Sequence, residues 1–220
     1  DWTGLQAYTD DDHFDNPLPV FELINDTNNA LDAGAKGVAI FKMLSSPDID
    51  FNNLTGDKNQ LNSFGYLNYL TSSTYETLNL EQDYAFNETI DNAFINGIEV
   101  YNDYLTINGN NHVIDAKNLS RIFMVTGDGI TLTNIQFKNA FNSKGSAVFI
   151  KGDNVKLVNC TFIDNFANEL GAATYIYGDN VKLINSTFIN NFANVSGAAS
   201  YIEGNNVELV NCTFIDNSAK

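Results

Sequence analysis

Short apolar runs broken by Gly, Asn and Asp fill the second half of the chain, and from Gly145 onward they repeat. Residues 145–170, 171–196 and 197–220 align without a gap at a period of 26, their centres reading GDNVKLVNCTFIDNFAN, GDNVKLINSTFINNFAN and GNNVELVNCTFIDNSAK. Gly152, Gly178 and Gly204 mark one recurring corner; Phe162, Phe188 and Phe214 mark one recurring apolar position. A fixed period of this size signals a solenoid or array. No copy holds ten helix formers in a row. Each is instead three runs rich in β-branched and aromatic residues, such as 147–150, 155–158 and 160–163, which predicts three strands and three corners per turn. A leucine-rich repeat needs its leucine pattern and a helical return, and a propeller blade needs roughly 40 residues, so both are disfavoured. The expected fold is an all-β parallel β-helix, each copy one coil paired with its neighbours at about 4.8 Å.

Upstream the pattern continues in degenerate form. Segments 78–80, 105–107, 130–132 and 155–157 step by 27, 25 and 25 residues, and Val181 and Val207 follow at 26, so five to six coils fit before Lys220. Within residues 62–71, Phe64, Leu67 and Leu70 recur at three-residue spacing behind Asn62 as N-cap, which predicts an amphipathic helix. Laid over the first coil, it would cover one apolar end of the solenoid. The chain reaches Lys220 mid-coil with no polar cap. The expectation is a β-helix domain over residues 61–220, incomplete at its C-terminal side and continued by more repeats or another chain.

Residues 1–60 differ in composition, with eleven acidic and three basic side chains, a net −8 of the chain's −16. They are expected to pack on the cap, in a role the pattern does not specify. Asp10, Asp12, His13 and Asp15 offer oxygen and nitrogen ligands in a tight run, a candidate Ca²⁺ site. The spaced ligands and glycine of a calcium loop are missing, so a solvated acidic segment is favoured and no cofactor is expected. Apolar spacing after Pro19 suggests a helix to about residue 33 and a strand within 37–43.

Charge narrows the partners. With ten Lys and one Arg among 220 residues, no basic stripe exists to neutralise nucleic-acid phosphates or follow an anionic membrane. No run of 18 apolar residues spans a bilayer. The stretch opens on Asp1 and Trp2, so a secretion signal would have to lie outside it or have been removed.

Repetition turns single residues into columns. Asn134, Asn159, Asn185 and Asn211 each precede a Phe by three; an amide there can bond its counterpart one coil away and tolerate a left-handed turn. Of the eight N-x-Ser/Thr sequons, those at Asn87, Asn118 and Asn194 are the preferred glycan acceptors, because a buried corner Asn cannot carry a sugar. Cys160 and Cys212 hold equivalent positions two coils apart, about 9.6 Å by strand spacing. That is beyond the reach of a disulfide, so both are expected free. His112 reads as a structural corner residue without metal partners. Asp153 with Asp179, and Asp164 with Asp216, form acidic columns, but Asn205 and Asn190 replace them in other copies, which argues for surface corners over the paired acids of a hydrolase. Phe149, Tyr175 and Tyr201 lie one per coil. If Ile150, Ile176 and Ile202 point inward, the rings point out and, with Tyr177, make a candidate platform for sugar faces; the competing reading packs this column away from solvent.

The segments TLNLEQDYAFNETIDNAFINGIEV and LTINGNNHVIDAKNLSRIFMVTGDGITLTNIQFKNA, with the GAATYIYGDNVKLINSTFINNFAN repeats, resemble the adhesin-like surface proteins of methanogenic archaea. The resemblance covers roughly residues 62–220 and is most specific at 108–116 and in N-x-T-F-I-x-N. It implies a right-handed β-helix of the pectate-lyase-like superhelix class. It further implies an exported protein anchored at the cell surface or wall that attaches to other cells or surfaces, and it brings no catalytic residues to carry over. The eight sequons suggest a secreted, glycosylated chain, and the lateral face is expected to bind glycans or proteins of other cells. The alternatives are a structural envelope spacer and a carbohydrate-active hydrolase or lyase.

Overall fold

Four columns of strands, rather than three, wall the solenoid. The computed structural model describes residues 62–220 and, apart from them, two short strands, Thr3–Gly4 and Val38–Ala39, which pair in parallel. The latter falls in the strand expected within 37–43; the helix expected before it, and Asp10, Asp12, His13 and Asp15, lie outside the described residues. The chain divides into two units, Asp1–Leu61 and Asn62–Lys220.

Every sheet of the second unit is parallel. Sheet A stacks Thr77–Asn79, Thr106–Asn108, Thr131–Thr133, Lys156–Val158, Lys182–Ile184 and Glu208–Val210. Sheet B stacks Tyr84–Ala85, Val113–Asp115, Gln136–Lys138, Thr161–Ile163, Thr187–Ile189 and Thr213–Ile215. Sheet C holds Phe141–Lys144, Phe166–Leu170, Phe192–Ala193 and Ser218–Ala219. Sheet D holds Ile98–Val100, Phe123–Val125, Val148–Ile150, Thr174–Ile176 and Ser200–Ile202. Register follows the repeat, with Leu157 beside Leu183 and Phe162 beside Phe188. The protein is a parallel β-helix of about 26 residues per coil.

Sheet C is the strand the apolar pattern misses. In its second and third strands the inward residues are alanines, Ala167 and Ala193, which join Ala172 and Ala198 in a small cluster apart from the main core. A methyl group carries too little apolar area to stand out in a hydrophobicity pattern. The first coil also differs. Leu78 pairs with Ile107, a step of 29 rather than 27, because a 3₁₀ turn at Asn92–Phe94 lengthens the path between sheets B and D.

Inside, the strands of sheets A and B turn their middle residues to the core, while inner strands of sheet D turn in both flanking residues, such as Val148 and Ile150. Leu78, Ile107, Leu132, Leu157 and Leu183 from sheet A face Ile114, Phe137, Phe162 and Phe188 from sheet B, all at most 7% exposed. Corners are built from left-handed residues. Asn134, Asn159, Asn185 and Asn211 turn sheet A into sheet B at φ between 51° and 54°. Asn139, Asp164, Asn190 and Asp216 turn B into C at 51° to 53°. Asn and Asp tolerate this conformation better than other side-chain-bearing residues. Between C and D the corner is Gly145, Gly171 or Gly197, and a Cβ on Gly171 would lie 2.4 Å from the Thr174 carbonyl oxygen, so only glycine fits.

The amphipathic helix is present as α1, Phe64–Ser73, with Ser63 rather than Asn62 as its N-cap, its Oγ accepting the Tyr66 N–H at 3.2 Å. Phe64 and Leu67 join the main core, and α1 packs on the first strands of sheets B and D. Both ends are fastened to the solenoid. Asp91, 1% exposed, accepts the N–H groups of Phe64, Gly65 and Asn87 at 2.8–3.0 Å. The amide of Asn102 donates to the carbonyls of Thr71, Ser72 and Thr74 at the other end. The orphan donors and acceptors of the helix ends are thus met from the coils they cover.

Candidate functional site

The outward face of sheet D carries the candidate aromatic column. Its central residues, Glu99, Met124, Phe149, Tyr175 and Tyr201, lie side by side on successive coils. Alternation sends the flanking side chains inward, and Ile150 and Ile176 are fully buried. The rings form a continuous stack: Phe149 meets Tyr175 edge to face at 4.9 Å, and Tyr175 lies nearly parallel to Tyr201 at 5.3 Å. The middle of the column is covered, with Tyr175 only 5% exposed, while Phe149 and Tyr201 are half-buried. Tyr177, two residues along the same coil, is 61% exposed. Burial, then the adjacent Glu203 carboxylate, push the Tyr175 phenol up to about 12, so it is a neutral donor throughout the physiological range.

Cations frame the column. Lys151 Nζ and the Arg121 guanidinium stand 5.1 and 5.3 Å from the Phe149 ring centre, and Lys144 Nζ is 5.9 Å from that of Tyr175. Arg121, the chain's single arginine, is 7% exposed and donates to the carbonyls of Asn96, Lys144 and Gly145 and to Asn142 Oδ1. Burial lowers its pKa to about 10, leaving it charged at neutral pH. Its hydrogen bonds fasten the C–D corner against the preceding coil.

The acidic columns are corner brackets. Asp103, Asp128, Asp153 and Asp179 each accept, through Oδ1, the backbone N–H of the equivalent residue one coil on, at 2.7–2.8 Å. Asn205 completes the series, its side-chain amide donating to Asp179 at 3.0 Å. Asp164 and Asp216 hold left-handed corner positions that Asn139 and Asn190 hold in other coils, a backbone task either residue performs. His112 bonds Asp83 at 3.0 Å, and the same carboxylate oxygen accepts the Val113 N–H at 2.9 Å. Among the described residues, no group of three or more His, Cys, Asp or Glu side chains is placed to hold a metal ion.

The asparagines divide into two populations that the sequence does not separate. Asn159, Asn185 and Asn211 are exposed, contrary to the buried corner expected for them, and the ladder there is partial, with Asn159 bonding Asn134 at 3.3 Å. The buried ladder is a different one. Asn165 and Asn191 are 1% and 0% exposed, and each donates its amide to the next Asn Oδ1 at 2.8 Å, ending at Asn217. Of the expected glycan acceptors, Asn118 is exposed at a left-handed corner, whereas Asn87 and Asn194 are half-buried; Asn87 Oδ1 accepts the Thr89 N–H.

Both cysteines are free. Cys160 is 1% exposed, and burial pushes its thiol up to about 12. Alkylation at pH 8 should therefore modify Cys212, in the half-exposed last coil, and spare Cys160 until denaturant is added; mass spectrometry distinguishes the two, and rapid native labelling of Cys160 would contradict this packing.

The chain matches no protein-family model, no curated protein and no solved structure. Its class is therefore set by its fold, the parallel β-helix repeat proteins. Sequence reading passed over three exposed tyrosines, Tyr75 at 73%, Tyr101 at 53% and Tyr104 at 76%. The available signal was Tyr104 itself, an aromatic residue at the corner that later coils fill with Gly129, Asn154, Asn180 and Asn206.

Proposed function

We propose that this chain is a non-enzymatic, extracellular adhesin-like protein of a cell surface or wall, whose β-helix presents a lateral face to glycans or proteins of other cells. The observation that carries the proposal is the outward aromatic column of sheet D, with Phe149 and Tyr201 half-buried and Tyr177 61% exposed beside it. Such rings supply rigid, amphipathic contact area at small entropic cost. The resemblance to adhesin-like surface proteins of methanogenic archaea points the same way. A carbohydrate-active enzyme is disfavoured, because the corner carboxylates are engaged in backbone bonds rather than paired across a cleft. A rigid envelope spacer is the second reading, and the covered ring of Tyr175 favours it.

Retention of the purified chain on a broad glycan panel is the test. Tyr177→Ala, which leaves the packed rings intact, and the Tyr175→Ala, Tyr201→Ala double variant should each weaken retention, the double variant by about tenfold. Circular dichroism verifies that the variants remain folded. Absence of any binding by the parent would transfer the assignment to the spacer.

A further inference from the structure

The corner between sheets D and A is built to one plan. In successive coils it reads Asp103-Tyr104, Asp128-Gly129, Asp153-Asn154, Asp179-Asn180 and Asn205-Asn206. The second residue of each pair is left-handed, with φ from 54° to 68°. Its N–H bonds the preceding residue of the next coil in the first four, as from Tyr104 to Asp128 at 2.7 Å and from Gly129 to Asp153 at 2.8 Å. Four of the five left-handed residues are Asn or Gly, for which this conformation is cheap. The fifth is a tyrosine at φ 63°, and among the described residues it is the only aromatic at positive φ. A bulky residue held in this region stores strain, and such strain gathers where a side chain is needed for function.

Packing does not account for the ring. Tyr104 is 76% exposed. The neighbouring coil makes room for it: a Cβ on Gly129 would meet the Tyr104 ring at 2.5 Å, so glycine at that position lets the ring lie over the corner. Two more exposed rings share the locality, Tyr101 three residues earlier and Tyr75 on the preceding coil, two residues ahead of Thr77, which pairs with Thr106.

We propose that Tyr75, Tyr101 and Tyr104 form a second binding site, for an uncharged saccharide. Exposed phenol rings offer flat apolar faces to the C–H side of a pyranose. Exposed carboxylates at Glu76, Asp103 and Asp128 accept sugar hydroxyls, and the adjoining sheet A strand presents Thr106 and Asn108 outward. The same carboxylates repel uronate or sialate groups. Along the Tyr101 column the first cation is Lys151, two coils away. The proposal rests on the surface-binding reading above but on different residues.

Tyr104→Asn separates function from packing because it restores the residue that later coils use. Parent, Tyr104→Asn and the Tyr175→Ala, Tyr201→Ala variant are compared on uncharged oligosaccharides and on sialylated or uronate-bearing ones, alongside thermal melts. The expected result is retention of the parent on the uncharged set, weakened about tenfold in Tyr104→Asn, in which the sheet D column is intact. That variant should also melt about 2–4 °C higher as the strain is relieved. A lower melting midpoint would mean that the ring is there for packing, and overturns the site. Unchanged retention in Tyr104→Asn, with loss only in the column variant, overturns this site while leaving the adhesin reading standing. Preference for the acidic set overturns the ligand class, and no retention of the parent on any saccharide overturns both.

Discussion

Phe162→Ala should destabilise the β-helix by about 3–5 kcal/mol, measured as a shift in urea denaturation. Phe162 is fully buried between two nearly parallel rings, Phe137 at 4.9 Å and Phe188 at 4.8 Å. Truncation removes the ring and both of its stacking contacts and leaves a gap in the middle of the column. Neighbours have little freedom to close it, because each strand is pinned at both ends by left-handed corners, Asn159 and Asp164 in this coil. Cavity cost rises where a site cannot collapse. Phe214→Ala provides the internal comparison: it holds the same position one coil beyond Phe188 but is 48% exposed. Its loss should be less than half as large, and equal losses at the two positions would contradict a core carried by inner coils.

Asn191→Ala should cost a similar amount, about 3–5 kcal/mol, although it deletes a polar side chain. Its Oδ1 accepts the Asn165 backbone N–H at 3.2 Å and the Asn165 amide at 2.8 Å; its own amide donates to the Phe162 carbonyl at 3.1 Å and to Asn217 at 2.8 Å. Removing it strands several groups where water is excluded, and each buried unsatisfied group costs about 1–3 kcal/mol. In a solenoid held by nearest-neighbour contacts, the loss should also separate the last coil from the rest, visible as faster hydrogen exchange beyond residue 191 than before it. Asn185→Ala is the contrast. That residue sits at an exposed left-handed corner, so its replacement should cost only the conformational preference, about 1–2 kcal/mol. Matching losses would mean that the two asparagine columns do not differ in role.

Much of this contrast is invisible in the sequence. Both columns recur in each of the last three coils, and N-x-x-F identifies only the exposed one. Asn165, Asn191 and Asn217 follow the phenylalanines by three residues, in a stretch that reads as a corner because the sheet C strands beside them turn only Ala167, Ala193 and Ala219 to the position that larger apolar residues fill in the other sheets. The aromatic column was legible in its alternation, with isoleucines inward and rings outward. The covering of Tyr175 was not, since it depends on Phe149 and Tyr201 above and below it and on Lys144 reaching across from sheet C. The corner tyrosines were missed for the reverse reason. A lone Tyr104 in a degenerate coil has no meaning until register places it on the column of Gly129 and Asn154.

What the sequence determined by itself is the period, and with it the architecture. A repeat of 26 residues, rich in β-branched and aromatic side chains and punctuated by Asn, Asp and Gly, has one economical way to bury its apolar positions, which is to stack coil on coil. The covering helix and the unpaired cysteines follow from the same local rules of periodicity and strand spacing. Only the tertiary structure decided which members of each column meet solvent, because exposure depends on what the neighbouring coil and the next sheet place over a residue. Residues of one type thereby acquire opposite roles: Asn191 sealed in the wall and Asn185 at its edge, Tyr175 covered and Tyr104 open.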